Sequence, residues 1–225
     1  MKKKYFPFLL IFGVLIISIG GGALLYNSQA HVEVASGSGG STLTPPPLHP
    51  GAEPAHLRGD SQAPVVLEEF GDFQCPVCGR FYKDLKMVEA EYGSKLRVIF
   101  REFPIQSIHP HSLEAAHAAE AAGLQGKFWE MHDLLYENQD IWVKEANPRA
   151  TFDTYAKGIG LNVNQFDNDM NGSVVAGRCI SDQVKARDMG VNGTPSIFID
   201  GKPPRDKNID AIRNAINEEL KAKGL

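Results

Sequence analysis

Cysteine is scarce: the 225 residues contain three. A chain of this length does not need a disulfide scaffold to build a core, and an odd count allows at most one internal pair. An excess of basic charge is also missing. The chain has 23 Lys and Arg against 27 Asp and Glu, a formal charge of -4. That balance argues against a nucleic-acid binder, which carries a basic patch. No internal repeat is present. With 43% hydrophobic and 22% charged residues, the composition excludes a wholly disordered, collagenous or coiled-coil chain.

What is present is unevenly distributed. Lys2, Lys3 and Lys4 precede an uncharged run from Tyr5 to Tyr26. As a helix, this run would reach roughly 33 Å, about the thickness of a bilayer core. The leading lysines predict a cytoplasmic N-terminus with the remainder exported. Residues 1–30 are therefore expected to be a membrane anchor, or a signal segment cleaved after Ala30, in which case the chain is secreted. Residues 31–60 follow as a linker. Its Ser36 to Gly59 stretch has five glycines and five prolines, a composition that cannot bury enough apolar surface to order itself. Setting Lys2 to Lys4 aside leaves the exported part at -7.

From about residue 61 the pattern turns globular. Val65 to Phe70 reads as a buried strand, Cys75 to Tyr92 as a helix stopped by Gly93, and Leu96 to Phe100 as a second strand. That order predicts a right-handed βαβ unit. Helical patterns then dominate, over Leu113 to Ala122, Lys127 to Asn138, Thr151 to Lys157, Val163 to Met170 and Ser173 to Asp188. A strand returns at Ser196 to Asp200, followed by a last helix over Ile209 to Leu220.

The chemistry is concentrated in Cys75-Pro76-Val77-Cys78, where the first strand hands over to the first helix. Two thiols three positions apart can close a small disulfide loop. At a helix N-terminus, unpaired N–H groups and the macrodipole favour a thiolate. This predicts a Cys75 pKa lowered by very roughly 0.2 to 1.5 units. Cys78, one turn deeper, is placed to resolve a mixed disulfide. Pro76 is tolerated at an early helical position because its missing N–H would have had no partner. The competing reading of a CxxC is half a zinc site. It would need Cys179, His109 or His111 to complete it, and the sequence has no second CxxC or HxxxH pair. No metal and no cofactor beyond the Cys75–Cys78 disulfide is expected. Cys179, within a helical pattern, is read as a small buried residue, the alternative being an intermolecular disulfide or a regulatory thiol. Phe128, Trp129 and Tyr136 are read as core rather than a ligand cage.

Gly193-Thr194-Pro195 immediately precedes the Ser196 strand, where a proline needs a reason to be. With Phe70-Gly71-Asp72-Phe73-Gln74-Cys75-Pro76-Val77-Cys78, His109-Pro110, Gln125 to Asp133 and Gly190 to Pro195 in this order, the chain resembles the thioredoxin superfamily, in its exported DsbA-like branch. The resemblance covers about residues 57–222. It implies an α/β thioredoxin-like fold of βαβ and ββα halves, spanning residues 61–225, with an inserted all-helical domain at about 104–190. It also implies a cis Thr194-Pro195 bond facing the cysteines, with the Thr194 backbone positioned to pair with a substrate chain. Glu69 occupies the position where the family keeps an acidic residue beneath the site. Glu68 and Glu69 point to opposite faces of a buried strand, so at least one must be sheltered. A sheltered Glu69 could relay a proton to Cys78.

Val77 stands where the DsbA type often has a histidine, which predicts a less oxidising couple. Pro203-Pro204 is expected to truncate the second strand of the terminal hairpin. The expected activity is thiol–disulfide exchange on exported, cysteine-containing polypeptides at the outer face of a bacterial cytoplasmic membrane, in the periplasm or at the cell surface. Disulfide formation would be recharged by a quinone-linked membrane partner of DsbB-like or VKOR-like kind, and no nucleic acid is involved. The alternatives are a reductase or isomerase using the same residues, or a non-catalytic chaperone or metal-handling domain on the same scaffold.

Overall fold

The computed structural model describes residues 48–225. The expected anchor over residues 5–26 lies outside them, as does the first part of the linker. Among the described residues no helix is long and apolar enough to cross a membrane.

The chain enters the sheet earlier than its composition suggests. β1 (His56–Gly59) is an edge strand antiparallel to β3 (Leu96–Glu102), so the linker expected to run to residue 60 ends before it. The reason is local to the pairing: His56 stacks on Phe128 at 3.5 Å between ring centroids, and Arg58 lies 4.2 Å over the Trp129 ring. Glycine- and proline-rich composition hides a segment that is ordered by partners far away in sequence. β2 (Val65–Gly71) lies parallel to β3 and antiparallel to β4 (Ser196–Ile199), giving the sheet order β1-β3-β2-β4. The second strand of the terminal hairpin is reduced to a single bridge between Ile199 and Lys202, just before Pro203-Pro204.

Helix α1 (Pro76–Tyr92) crosses from β2 to β3 and buries Cys78, Phe81, Tyr82, Leu85 and Val88, a helical stripe. With α8 (Ile209–Ala222), it covers Val65, Leu67, Val98 and Ile197 on one sheet face. The inserted helices are α2 (Ser112–Leu124), α3 (Phe128–Glu137), the short α4 (Gln139–Trp142), α5 (Arg149–Gly158), α6 (Val163–Met170) and α7 (Ser173–Asp188). They enclose a second core around Phe73, Phe100, Met131, Tyr136, Trp142 and Phe152. The alanine run of α2 lets its neighbours approach closely: Ala115, Ala118, Ala119, Ala121 and Ala122 are buried in that core.

The opposite sheet face, under α7, contains a buried ion network. Arg101 donates to Glu68 Oε1 at 2.8 Å, to Asp182 Oδ1 at 3.1 Å and to the Ala52 carbonyl at 2.7 Å. Lys185 adds a 2.7 Å bond to Glu68. Truncating one partner of such a network leaves charges buried and unpaired. Arg101→Ala is therefore expected to lower the unfolding free energy by about 3–5 kcal/mol, measured by urea denaturation. A loss below about 1 kcal/mol, the scale of an exposed pair, would show that the network is solvated.

Candidate functional site

The position that caps α1 is Cys75 itself. Its backbone is extended (φ -70, ψ 120), Pro76 begins the helix, and no side-chain oxygen takes the free N–H groups. In most helices a Ser, Thr or Asp oxygen would occupy them. Here they are left for sulfur. Cys75 is 5% exposed and Cys78 is enclosed, both as thiols. Across the cleft, Thr194-Pro195 is cis, and the Cys75 Sγ–H donates to the Thr194 carbonyl at 3.6 Å. The structure thus brings Cys75, Pro76, Cys78, Thr194 and Pro195 together. Val77, 45% exposed, forms the outer lip.

The two thiols have opposite acidities. A hydrogen bond from Cys78 is the largest influence on Cys75. Burial opposes it, while the Thr194 side chain and the N–H groups of Cys78 and Val77 add to it, and together they bring Cys75 from 9.0 to about 5. The depression exceeds what the helix terminus alone predicts, because the neighbouring thiol contributes more than the dipole. Cys78 is raised well above 9.0, first by burial, then by its bond to Cys75 and the nearby Glu69. Glu69, 2% exposed, sits on β2 beneath the pair, and burial pushes its carboxyl up to about 8. Both β2 glutamates are buried, but only Glu68 is paired, by Arg101 and Lys185.

The loop carrying the cysteines is fastened by residues that a reading of the sequence did not single out for function. Asp72 is buried. Its carbonyl accepts the Cys75 N–H at 3.0 Å, its Oδ1 accepts the Gln74 N–H at 2.8 Å, and its Oδ2 accepts the Ile105 N–H at 2.9 Å and meets His109 Nδ1 at 2.8 Å. An aspartate three residues before a helix cap is a turn signal, so this role was legible in principle. Gln139 donates to the carbonyls of Phe73 at 2.6 Å and Cys75 at 2.9 Å. Gly79 makes this possible, since a β-carbon there would run into the Gln139 amide. No local pattern announces a contact made across 64 residues.

The remaining candidates lie apart from the pair. His109 is committed to Asp72. Cys179 is buried in α7, where burial raises its pKa, making it inert as a nucleophile. Phe128 and Tyr136 are core, and Trp129 is partly buried against it.

A family model described as thioredoxin matches residues 52–218. Among curated proteins, the chain is similar to Na(+)/H(+) antiporter NhaA 1 of Mycolicibacterium vanbaalenii, 40% identical over 150 residues, which are 65% of this chain and 23% of that protein. It is also similar to Na(+)/H(+) antiporter NhaA 3 of Salinispora tropica, 39% identical over 163 residues, covering 72% of this chain and 24% of that protein. The chain spans about a quarter of the length of these relatives. Among solved structures, a thioredoxin-like oxidoreductase from Silicibacter pomeroyi aligns with a TM-score of 0.62 at 26% identity, over 74% of this chain and 92% of that one. BdbD from Bacillus subtilis aligns with a TM-score of 0.67 at 24% identity, over 74% and 93%. This second likeness shows the fold alone.

Titrating the ultraviolet thiolate absorbance of the reduced protein should give a Cys75 midpoint near pH 5. Cys78→Ala should raise that midpoint, because it removes the largest stabilising contact. A depressed thiol favours the folded reduced state as pH rises from about 5 towards 9. Over that range the reduced protein should gain thermal stability relative to the Cys75→Ala variant, and the gain should be lost as pH falls through 5. A midpoint near the ordinary thiol value would overturn this assignment.

Proposed function

The chain belongs to the thioredoxin family, with the DsbA-like fold, and on that premise we propose that it is a membrane-tethered, extracytoplasmic thiol–disulfide oxidoreductase that forms disulfides in exported polypeptides. The observation carrying this reading is the unequal acidity of the two thiols. A sulfur that is stable as a thiolate is a good leaving group, so a disulfide through Cys75 is readily transferred.

In the oxidising direction, a substrate thiolate attacks Cys75 Sγ of the Cys75–Cys78 disulfide. The Cys75–substrate bond forms, the Cys75–Cys78 bond breaks, and Cys78 leaves with the electron pair. Its raised pKa makes it a proton acceptor, and the Glu69 carboxyl beneath it is the donor. A second substrate thiolate then attacks the substrate sulfur of the mixed disulfide. The substrate disulfide forms, and Cys75 departs as the stabilised thiolate. The reduced pair is reoxidised by a quinone-linked membrane partner of DsbB-like or VKOR-like kind. Thr194 and Pro195 face the sulfur from the other side of the cleft, where the incoming chain is seated. In this reading residues 1–30 are the tether that holds the domain outside the cytoplasm.

Val77, in place of a histidine, is expected to weaken the oxidising power.

Cys75→Ser should abolish oxidation of a dithiol peptide, and Cys78→Ser, given a disulfide-containing peptide, should accumulate the Cys75–peptide mixed disulfide because the resolving thiol is missing. A wild-type rate with Cys75→Ser would leave a non-catalytic domain. Alkylation trapping in cells should find the pair mostly oxidised; a mostly reduced pair would overturn the oxidase direction in favour of reduction or isomerisation. The Glu69 acid form is present below pH 8, so release of Cys78 should slow as pH rises through that value. Glu69→Gln should flatten this dependence and slow the step by about a hundredfold, the lower range for a positioned acid.

A further inference from the structure

The sheet face beneath the cysteines continues past Glu69. Parallel register pairs Glu69 with Phe100 and Gly71 with Glu102, and residues two apart in a strand share a face. Tyr136 of α3 lies across this face. A β-carbon at Gly71 would overlap the Phe100 ring and lie 3.0 Å from Tyr136 Oη. The hydroxyl therefore stands over Gly71, flanked by Glu69 along β2 and by Glu102 on the neighbouring strand. Glu69 Oε1, Tyr136 Oη and both Glu102 carboxyl oxygens are buried without a hydrogen-bond partner. So is Nε2 of His132, whose ring centroid is 5.0 Å from that of Tyr136. Leaving such atoms dry carries the full desolvation penalty of each group. Concentrated on one face, they provide the several polar contacts that an internal water needs.

We propose that Tyr136 and Glu102, joined by internal water, form a second proton-holding site behind Glu69 that restores the proton Glu69 gives to Cys78. This rests on the thiol–disulfide exchange proposed above. When Cys78 leaves as a thiolate, the Glu69 carboxyl gives it a proton. Glu69 takes one back from the water held by Tyr136 Oη, and that water is resupplied by the Glu102 carboxyl. Glu102 then regains a proton from solvent, so the net change is one proton taken up by Cys78, with no electrons beyond those of the disulfide exchange. Reoxidation reverses it. Tyr136 and Glu102 act through Glu69, so they are positioning residues.

The surroundings suit that task. Burial holds Glu102 in its acid form, reinforced by Glu120 of α2, Asp182 of α7 and Asp72 of the cysteine loop, and opposed by Arg178 of α7. Cys78 of α1, Glu69, Glu102 and Asp72 face Tyr136, and its phenol is held protonated, first by burial. His132 is drawn down to about 4 by burial, so it faces the group as a neutral ring.

The test uses the full chain with Tyr136→Phe, which keeps the ring packing, and Glu102→Gln, which keeps the shape. Infrared difference spectra between the dithiothreitol-reduced and the oxidised protein should show protonated-carboxyl bands, one of which disappears in Glu102→Gln and shifts in Tyr136→Phe. In stopped-flow exchange around pH 8, both variants should release Cys78 roughly tenfold more slowly with a larger solvent deuterium effect, less than the loss of a whole acid–base group because Glu69 remains. The Cys75 thiolate titration should not move. Folded variants with wild-type rates, isotope effects and carboxyl bands would overturn the proposal. If Glu102→Gln does not fold, the isotope effect of Tyr136→Phe decides alone. If wild type and Cys75→Ser exchange equally, the exchange function itself fails, a result distinct from any confined to Tyr136 or Glu102.

Discussion

The hydrogen bond from the Cys78 thiol to the Cys75 sulfur is the contact around which the rest of this domain is arranged. It requires a helix to begin at Cys75 with no other side chain occupying its first N–H groups, so Pro76 follows immediately and the cap carries sulfur instead of oxygen. It also requires the donor to remain a thiol, so Cys78 is enclosed and set above a carboxyl. The loop must not drift, and Asp72 and Gln139 hold it by six hydrogen bonds whose donors or acceptors are mostly main-chain atoms. The polarity of the pair is therefore a property of backbone placement as much as of the two cysteines.

The sheet treats its two adjacent glutamates in opposite ways. Glu68 faces α7 and is neutralised by Arg101 and Lys185, the usual requirement for a buried carboxylate. Glu69 faces the cysteines and has no such partner in contact, so burial keeps it an acid near neutral pH. One side of the strand is built for cohesion and the other retains an exchangeable proton. A single-residue shift in register would exchange those environments, which ties the chemistry of the site to the pairing of β2 with β3 and β4.

Much of the fold was legible because its signals are local. The β2–α1–β3 unit follows from an apolar run, a helical stripe and a second apolar run. The inserted helices follow from alanine content and 3.6-residue spacing, and Pro203-Pro204 marked the missing strand. β1 was hidden inside a linker-like composition, because His56 and Arg58 are ordered by Phe128 and Trp129, some seventy residues away. The four-residue α4 was too short to leave a periodic signal. In the site, the CxxC and the Thr194-Pro195 pair were visible as motifs. Gln139, Tyr136 and Glu102 were not, because each matters only through what the fold places beside it. Glu69 lay between these cases: alternation along the strand required one sheltered glutamate but did not say that both would be buried.

The entry of the chain into the domain has a mechanical consequence. The Ala52 carbonyl is gripped by Arg101, the Glu53 and Pro54 carbonyls by Arg178, and the Ala52 N–H by Asp182. These clamps belong to β3 and α7, not to the edge strand that follows. A pull along the chain from the N-terminal side thus loads the buried guanidinium of Arg101 and the half-buried one of Arg178 before it reaches β1. The force is carried into the body of the sheet and the insertion instead of peeling the edge, and the redox site is spared the strain.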